Sequence, residues 1–314
     1  MEQIIDEQGQ IVRSPATLPV LQKCAERHLG PQIGAIALEE QEWSPSGGAN
    51  MAGTWRATET PVLIKLGINE NQLYWTQQMS TSAPNLIPVL YASGERLGEL
   101  PIRWMVMERI AFGPLGPEWN GNEFAMVLDA AVRFQRAARR VEPLHIERMD
   151  ASLLRRRLQV GIDAGPPGPV AAVMDRLDDD WEWVAAICGI ETCHADIHMC
   201  NALTRTPPPQ QSDVLLIDCQ PIIQPWAFDA ARLQVLNSID RDRVGYRGCV
   251  PKMAHIRSTY GLPSCEGRDL TQVARLTLAW FAIRLWGLTP DRHTIADYRA
   301  ETERYIADRL VNGL

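Results

Sequence analysis

Hydrophobic and polar positions change their spacing near residue 110. Before that point the apolar residues fall in short runs, Ile36 to Trp43, Thr54 to Thr58, Val62 to Leu66, Leu86 to Ser93 and Arg103 to Met107, which predict strands. A helix over about Leu18 to His28, stopped by Gly30-Pro31, precedes them. A second helix sits among them, capped by Asn69 and carrying Leu73, Trp75 and Met79. Ser44 to Gly53 is rich in residues that accept unusual backbone angles and reads as a loop, and Glu59-Thr60-Pro61 reads as a hairpin turn. The first 110 residues therefore predict a small antiparallel sheet with one inserted helix.

From about Gly113 helical spacing takes over. Glu123 to Val141, Ala151 to Ile162 and Val170 to Cys188 each show an amphipathic stripe, with Gly165 to Pro169 as a loop. A strand–loop–strand region follows, Thr192 to Cys219, interrupted by a hairpin-like loop at Thr206 to Asp213. The tail from Phe228 is again mostly helical, and Leu270 to Trp286 is strongly apolar, with Trp280 and Trp286 expected in the core. Asp178 to Asp180 reads as the acidic first turn of a helix, favoured by the macrodipole. The fold class is α+β, in two lobes: a sheet-rich front over residues 1–108 and a helix-rich back over 109–314.

Composition narrows the function classes. The 314 residues are 46% hydrophobic, enough for a large core, and the net charge is −7. Residues 1–110 carry −4 and the remainder −3, so no basic surface for nucleic acid is indicated. Met1 to Asp6 has neither a basic nor an apolar stretch, so no secretory signal is expected, and no run of about 18 apolar residues exists to span a bilayer. Seven cysteines without a paired framework fit a reduced cytoplasmic compartment. Cys188, Cys193, Cys200 and Cys219, with His194 and His198, lack the repeated close spacing of a zinc site and read as bystander thiols.

Three segments carry candidate chemistry. They are His194-Ala-Asp196-Ile-His198-Met-Cys-Asn201, the strand end Leu215-Leu-Ile-Asp218, and the loop Ser46-Gly47-Gly48-Ala49-Asn50 followed by Lys65 in an apolar strand. Phosphoryl transfer explains the grouping, because moving a phosphate depends on positioning and on cations. One carboxylate can orient a hydroxyl and accept its proton. A side-chain amide and a second carboxylate supply the hard oxygen ligands that Mg2+ prefers. Taken singly the parts are weaker: the glycine loop reads equally as a hairpin connection, and the histidine cluster as a polar turn.

The segment His194 to Asn201 resembles the His-Gly-Asp-Leu-His-Pro-x-Asn signature of the aminoglycoside phosphotransferase family, protein-kinase-like small-molecule kinases. Leu215 to Asp218 looks like that family's metal-binding strand end, Phe228-Asp229-Ala-Ala like its later Asp-Leu-Ala element, and Met107-Glu108-Arg109 like its adenine-binding hinge. The resemblance runs from about residue 35 to 235. It implies a bilobal protein-kinase-like fold, with ATP or GTP and Mg2+ as cofactors. Asp196 would be the catalytic base, and Asn201 and Asp218 the metal ligands. Lys65 would hold the α/β-phosphates, oriented by Glu70, with Ser46, Gly47, Gly48, Asn50, Met107, Glu108 and Ile110 around the nucleotide. His194, His198 and Asp229 would support the loop. Ala195, Met199-Cys200 and Cys219-Gln220 depart from the family's usual residues at those places.

The expected reaction is O-phosphorylation of a hydroxylated small molecule, an aminoglycoside or other natural-product antibiotic, which would confer resistance. Asp240, Asp242 and Glu266 are available to pair with substrate amines. A metabolic kinase of the choline, homoserine or thiosugar type is the alternative within the fold, and a nucleotide-binding pseudokinase the alternative from another class. No Ala-Pro-Glu element follows Asp218, which speaks against a protein kinase. The expected state is a monomer or homodimer, with neither nucleic acid nor membrane as partner.

Overall fold

The computed structural model describes residues 5–6, 10–43, 48–113, 115, 123–144, 146–166, 168–207, 210, 213–237, 248–288 and 296–312. The chain divides into two compact units, Met1–Ala111 and Phe112–Leu314.

In the first unit, helix α1 (Thr17–Leu29) precedes strands β1 (Ile33–Trp43), β2 (Ala49–Trp55) and β3 (Thr60–Leu66). Helix α2 (Glu70–Ser82) then leads to β4 (Leu90–Gly94) and β5 (Trp104–Glu108). The five strands form one antiparallel sheet in the order β1-β2-β3-β5-β4. Alternation along the strands divides the sheet's apolar residues between its faces. Met51, Val62, Ile64, Leu66 and Val106 pack with Leu18, Leu21, Ala25 and Leu29 of α1. Leu63, Met105 and Met107 pack with Leu73 of α2. The Asn69 side chain caps α2, accepting from the Gln72 amide at 2.7 Å.

Two strand expectations shift. The second strand is Ala49–Trp55, inside the segment that reads as a loop, and the reversal lies at residues 56–59, with Glu59 at φ +55°. Small residues are what this strand requires: a Cβ at Gly53 would lie 2.5 Å from Ile33 Cγ2 on β1. β4 begins only at Leu90, because Pro88 has no N–H to give a ladder.

The second unit is mostly helical. It contains α3 (Glu123–Ala138), β6 (Glu147–Arg148), α4 (Ala151–Asp163), α5 (Val170–Asp175) and α6 (Leu177–Cys188). Then come β7 (Ile190–Cys193), a 3-10 turn (Met199–Asn201), β8 (Ala202–Thr204), β9 (Val214–Leu216) and β10 (Ile222–Pro225). Helices α7 (Ala227–Asn237), α8 (Cys249–Thr259), α9 (Gly267–Leu288) and α10 (Ala296–Asn312) complete it. β10 lies between β6 and β7, and β8 pairs with β9. The helix expected over Val170 to Cys188 is in fact two, broken at Arg176. The break puts Asp178, Asp179 and Asp180 in the first turn of α6, where a helix stabilises negative charge. Phe228 packs on Trp181, Trp280 and Phe281, with ring centroids 5.6 to 5.8 Å apart. Among the described residues, no helix is long and apolar enough to cross a membrane.

Candidate active site

The second unit assembles the loop from His194 to Asn201 between β7 and β8. Among the described residues of this unit two non-glycine residues hold positive φ, Ala195 in the loop at +64° and Asp218 beyond β9 at +56°. A left-handed backbone at a residue bearing a Cβ costs about 1 kcal/mol or more, so neighbouring bonds must hold it. Asp229, fully buried in the first turn of α7, does this for the loop. Its carboxylate accepts from the Ala195 amide at 2.9 Å and from the His194 amide at 3.1 Å.

Asp229 is itself anchored from behind. Gln135 of α3 donates to it at 3.3 Å and accepts from Arg257 of α8. Arg257, with no exposed surface, also reaches Glu191 at 2.9 Å and the Pro263 carbonyl at 2.9 Å. A buried guanidinium bonded on all sides fixes its neighbours, whereas removing one partner would leave an uncompensated charge. Burial pushes the Asp229 carboxyl up to about 6, against the pull of the Ala195 amide, Gln135 and the His194 amide.

Asp196 stands at the turn of the loop. Its Oδ2 accepts from Asn201 Nδ2 at 2.9 Å, and the same nitrogen donates to the Asp196 carbonyl at 3.0 Å. These bonds set the Asn201 amide so that its nitrogen faces Asp196 and its oxygen is directed elsewhere. Asp196 Oδ1 accepts from Arg232 of α7, and His198 Nε2 lies 3.8 Å away. Burial would raise the Asp196 carboxyl, but His198 and Arg232 outweigh it and hold the group far below the usual carboxylate range. Asp196 is therefore an ionised acceptor at any working pH.

The two histidines differ. His194 has no exposed surface, and its Nδ1 accepts from the Asp196 amide at 3.4 Å. Burial lowers it to about 4, so the ring is neutral and carries its proton on Nε2. His198 is partly exposed and accepts the Cys200 amide on Nδ1 at 3.3 Å, which turns Nε2 towards Asp196. Asp218 lies just beyond β9, tied to the loop by the Ile217 amide donating to the Asn201 carbonyl at 3.1 Å. One amide oxygen and one carboxylate are hard oxygen donors, a set that fits Mg2+.

In the first unit, Lys65 of β3 lies opposite Asn50 of β2 and Met105 of β5. Residues opposite one another share a face, so Lys65 projects on the side of the sheet that packs on α2. It is 9% exposed. Glu70, in the first turn of α2, lies 3.8 Å from Arg103 and is half exposed. At the expected hinge the Glu108 amide donates to the Val89 carbonyl at 2.8 Å and the Arg109 amide to the Pro61 carbonyl at 3.1 Å. Met107 is buried and Ile110 half-buried. Gly48 is described and buried, whereas Ser46 and Gly47 lie outside the described residues, as do Asp240 and Asp242.

The geometry invites comparison with known proteins. No family model matches the chain, and no curated protein matches it. Solved structures do. A spectinomycin phosphotransferase in complex with ADP and spectinomycin is 14% identical, with a TM-score of 0.54, over 94% of this chain and 95% of that one. An amicoumacin kinase in complex with AMP-PNP and Ca2+ is 13% identical, TM-score 0.58, over 92% of each. A choline kinase from Cryptosporidium parvum is 9% identical, TM-score 0.57, over 94% and 95%. The chain has the protein-kinase-like fold of these kinases.

Sequence reading missed Arg232, Gln135, Glu191 and Arg257. Arg232 lies three residues after Asp229 on one helix, a spacing that places both on the same side of α7. No comparable local signal marks the other three, which converge from α3, β7 and α8.

Proposed function

We propose that this chain is an ATP- or GTP-dependent kinase that phosphorylates a hydroxyl group of a small natural product. The observation that carries the reading is the Asp196–Asn201 pair on a loop pinned by Asp229, with Asp218 one strand away. Asp196 is ionised, partly exposed and held in place, as a group that orients an alcohol and takes its proton must be. The hydroxyl oxygen would attack the γ-phosphorus, its proton passing to the Asp196 carboxylate as the nucleoside diphosphate leaves. Asn201 Oδ1 and Asp218 would hold Mg2+, which when bound neutralises charge on the phosphates. Lys65 would bind the α/β-phosphates. Since the Glu108 and Arg109 amides are engaged within the sheet, Ile110 N–H is the hinge donor left for the adenine edge.

A metabolic alcohol is the second reading, favoured by the fold shared with a choline kinase. Both are tested by incubating the protein with Mg·ATP or Mg·GTP and a panel of aminoglycosides, macrolides, cyclic peptides, amino alcohols and hydroxy acids. Mass spectrometry would detect the added phosphate, and Asp196→Ala serves as control. Transfer that survives Asp196→Ala unchanged would overturn the assignment of the base. Transfer confined to one primary metabolite would decide for the second reading.

A further inference from the structure

Three arginines gather beside Asp196. Arg157 is on α4, Arg232 on α7 and Arg284 on α9. The tight crossing of α4 and α9 explains how two of them meet. A Cβ at Gly161 would lie 1.9 Å from the Ile283 carbonyl oxygen and 3.3 Å from the Arg284 Cα, and one at Gly287 would lie 2.3 Å from the Val160 carbonyl oxygen. The helices thus touch backbone to backbone, Arg284 at the contact itself and Arg157 one turn before Gly161. Arg232 comes from α7, which also packs on α9, and bonds Asp196 Oδ1.

The positive charge is only partly answered. Arg157 pairs with Glu147, whose side chain is half exposed, and Arg232 with Asp196. Among the described residues no carboxylate lies within ion-pair distance of Arg284; Asp196 and Glu147 act on it only from further away, and the Phe281 ring lies 5.8 Å from its guanidinium. Burial pushes Arg284 down to about 10, and the adjacent Arg157 and Arg232 push the same way. Arg157 Nη1 and Arg232 Nε are buried and make no hydrogen bond to protein. Buried polar groups in native proteins are nearly always bonded, and guanidinium forks suit carboxylate and phosphate oxygens.

The side of Asp196 on which this cluster lies identifies what it would bind. Oδ2 is taken by Asn201, the metal side, and Oδ1 faces Arg232. The alcohol must reach Asp196, so groups flanking Oδ1 line the acceptor's place rather than the phosphate chain's. Resting on the kinase reading above, we infer that the acceptor is an anionic alcohol, its carboxylate or phosphate group held by Arg157, Arg232 and Arg284. Polycationic aminoglycosides and choline carry the wrong charge for this surface.

The test compares matched acceptors on the wild-type protein: hydroxy acids and sugar phosphates, their neutral esters or dephosphorylated parents, and amino alcohols. Anionic members should be favoured by about tenfold or more in kcat/KM, and added salt should raise their KM. Carboxylate and phosphate arms distinguish the two sources of charge. Arg284→Met should raise KM for the anionic acceptor by about tenfold with little change in the neutral parent, and Arg284→Lys should recover part of the loss. Phosphorylation of neutral or amino alcohols without preference for anions overturns this inference and leaves the kinase reading standing. If no alcohol in the panel is phosphorylated, both fall.

Discussion

Replacing Asp229 by Asn sets two opposed effects against each other, and the structure says which wins at each pH. The wild-type carboxyl is raised from an ordinary 3.8 to about 6 in the folded chain, chiefly by burial. Folded Asp229 therefore holds its proton more tightly than unfolded Asp229. The stability it contributes is fully present below pH 3.8 and is lost as pH rises through about 6, a difference of about 3 kcal/mol. Roughly half of that is already gone by about pH 5. An amide at 229 abolishes the charge penalty but turns an NH2 towards one backbone amide. If its oxygen stays with the His194 amide and Gln135, the Ala195 amide loses its partner, at a cost of about 1–3 kcal/mol.

At about pH 7.5 the two terms largely offset each other, and D229N should unfold in urea within about 2 kcal/mol of wild type. Between about pH 5 and 7.5 the difference between variant and wild type should shift in the variant's favour by about 1.4 kcal/mol. Activity should not follow stability. With Ala195 at φ +64° no longer anchored, the loop loses its geometry and phosphate transfer should fall by about tenfold or more. A stability difference independent of pH over this range would refute the buried-charge argument, because no other group is altered.

Asp196→Asn should lower kcat by about 10²–10⁴-fold while nucleotide affinity, read by calorimetry, stays near wild type. Since His198 and Arg232 hold Asp196 far below the usual carboxylate range, the wild-type kcat profile at saturating acceptor should show no acid limb from this group. Arg232→Met removes one of the two, so an acid limb should enter and move to higher pH. Asn201→Ala should raise the Mg2+ concentration needed for half-maximal turnover by about tenfold, measured by metal titration, and rescue by excess metal would be the signature of a lost ligand. Gly161→Ala puts a methyl group where the Ile283 carbonyl oxygen lies at 1.9 Å, and the helices must part, costing about 2 kcal/mol or more in urea unfolding.

The pairing of Asp196 with Asn201 was legible in one stretch of sequence because it is local. Asp196 and Asn201 are five residues apart on one turn, and their side-chain bond at 2.9 Å follows from that spacing. Asn69 announced its helix, and the acidic run at 178–180 its helix start, because capping and the macrodipole act within a single turn. Lys65 stood out as a lone cation in an apolar run for a similar reason: alternation along a strand needs no knowledge of what packs against it.

Where the outcome depended on distant segments, local pattern failed. Ala49 to Gly53 looks like a loop by residue type, yet it is a strand because β1 and β3 pair with it on both sides, and its glycine is there because Ile33 of β1 leaves no room for a side chain at Gly53. Asp229 could be singled out in sequence only by resemblance, and its anchoring through Gln135 and Arg257 spans 94 and 122 residues of chain. The cluster of Arg157, Arg232 and Arg284 is likewise invisible as a pattern. Each looks like a cation on the polar face of an amphipathic helix, and only the glycine-mediated crossing of α4 and α9, with α7 packed on α9, turns them towards one place. Sequence alone determined that the Asp196 carboxylate and the Asn201 amide share a loop. Tertiary packing decided which charges surround that loop, because charge is summed over everything folding brings near.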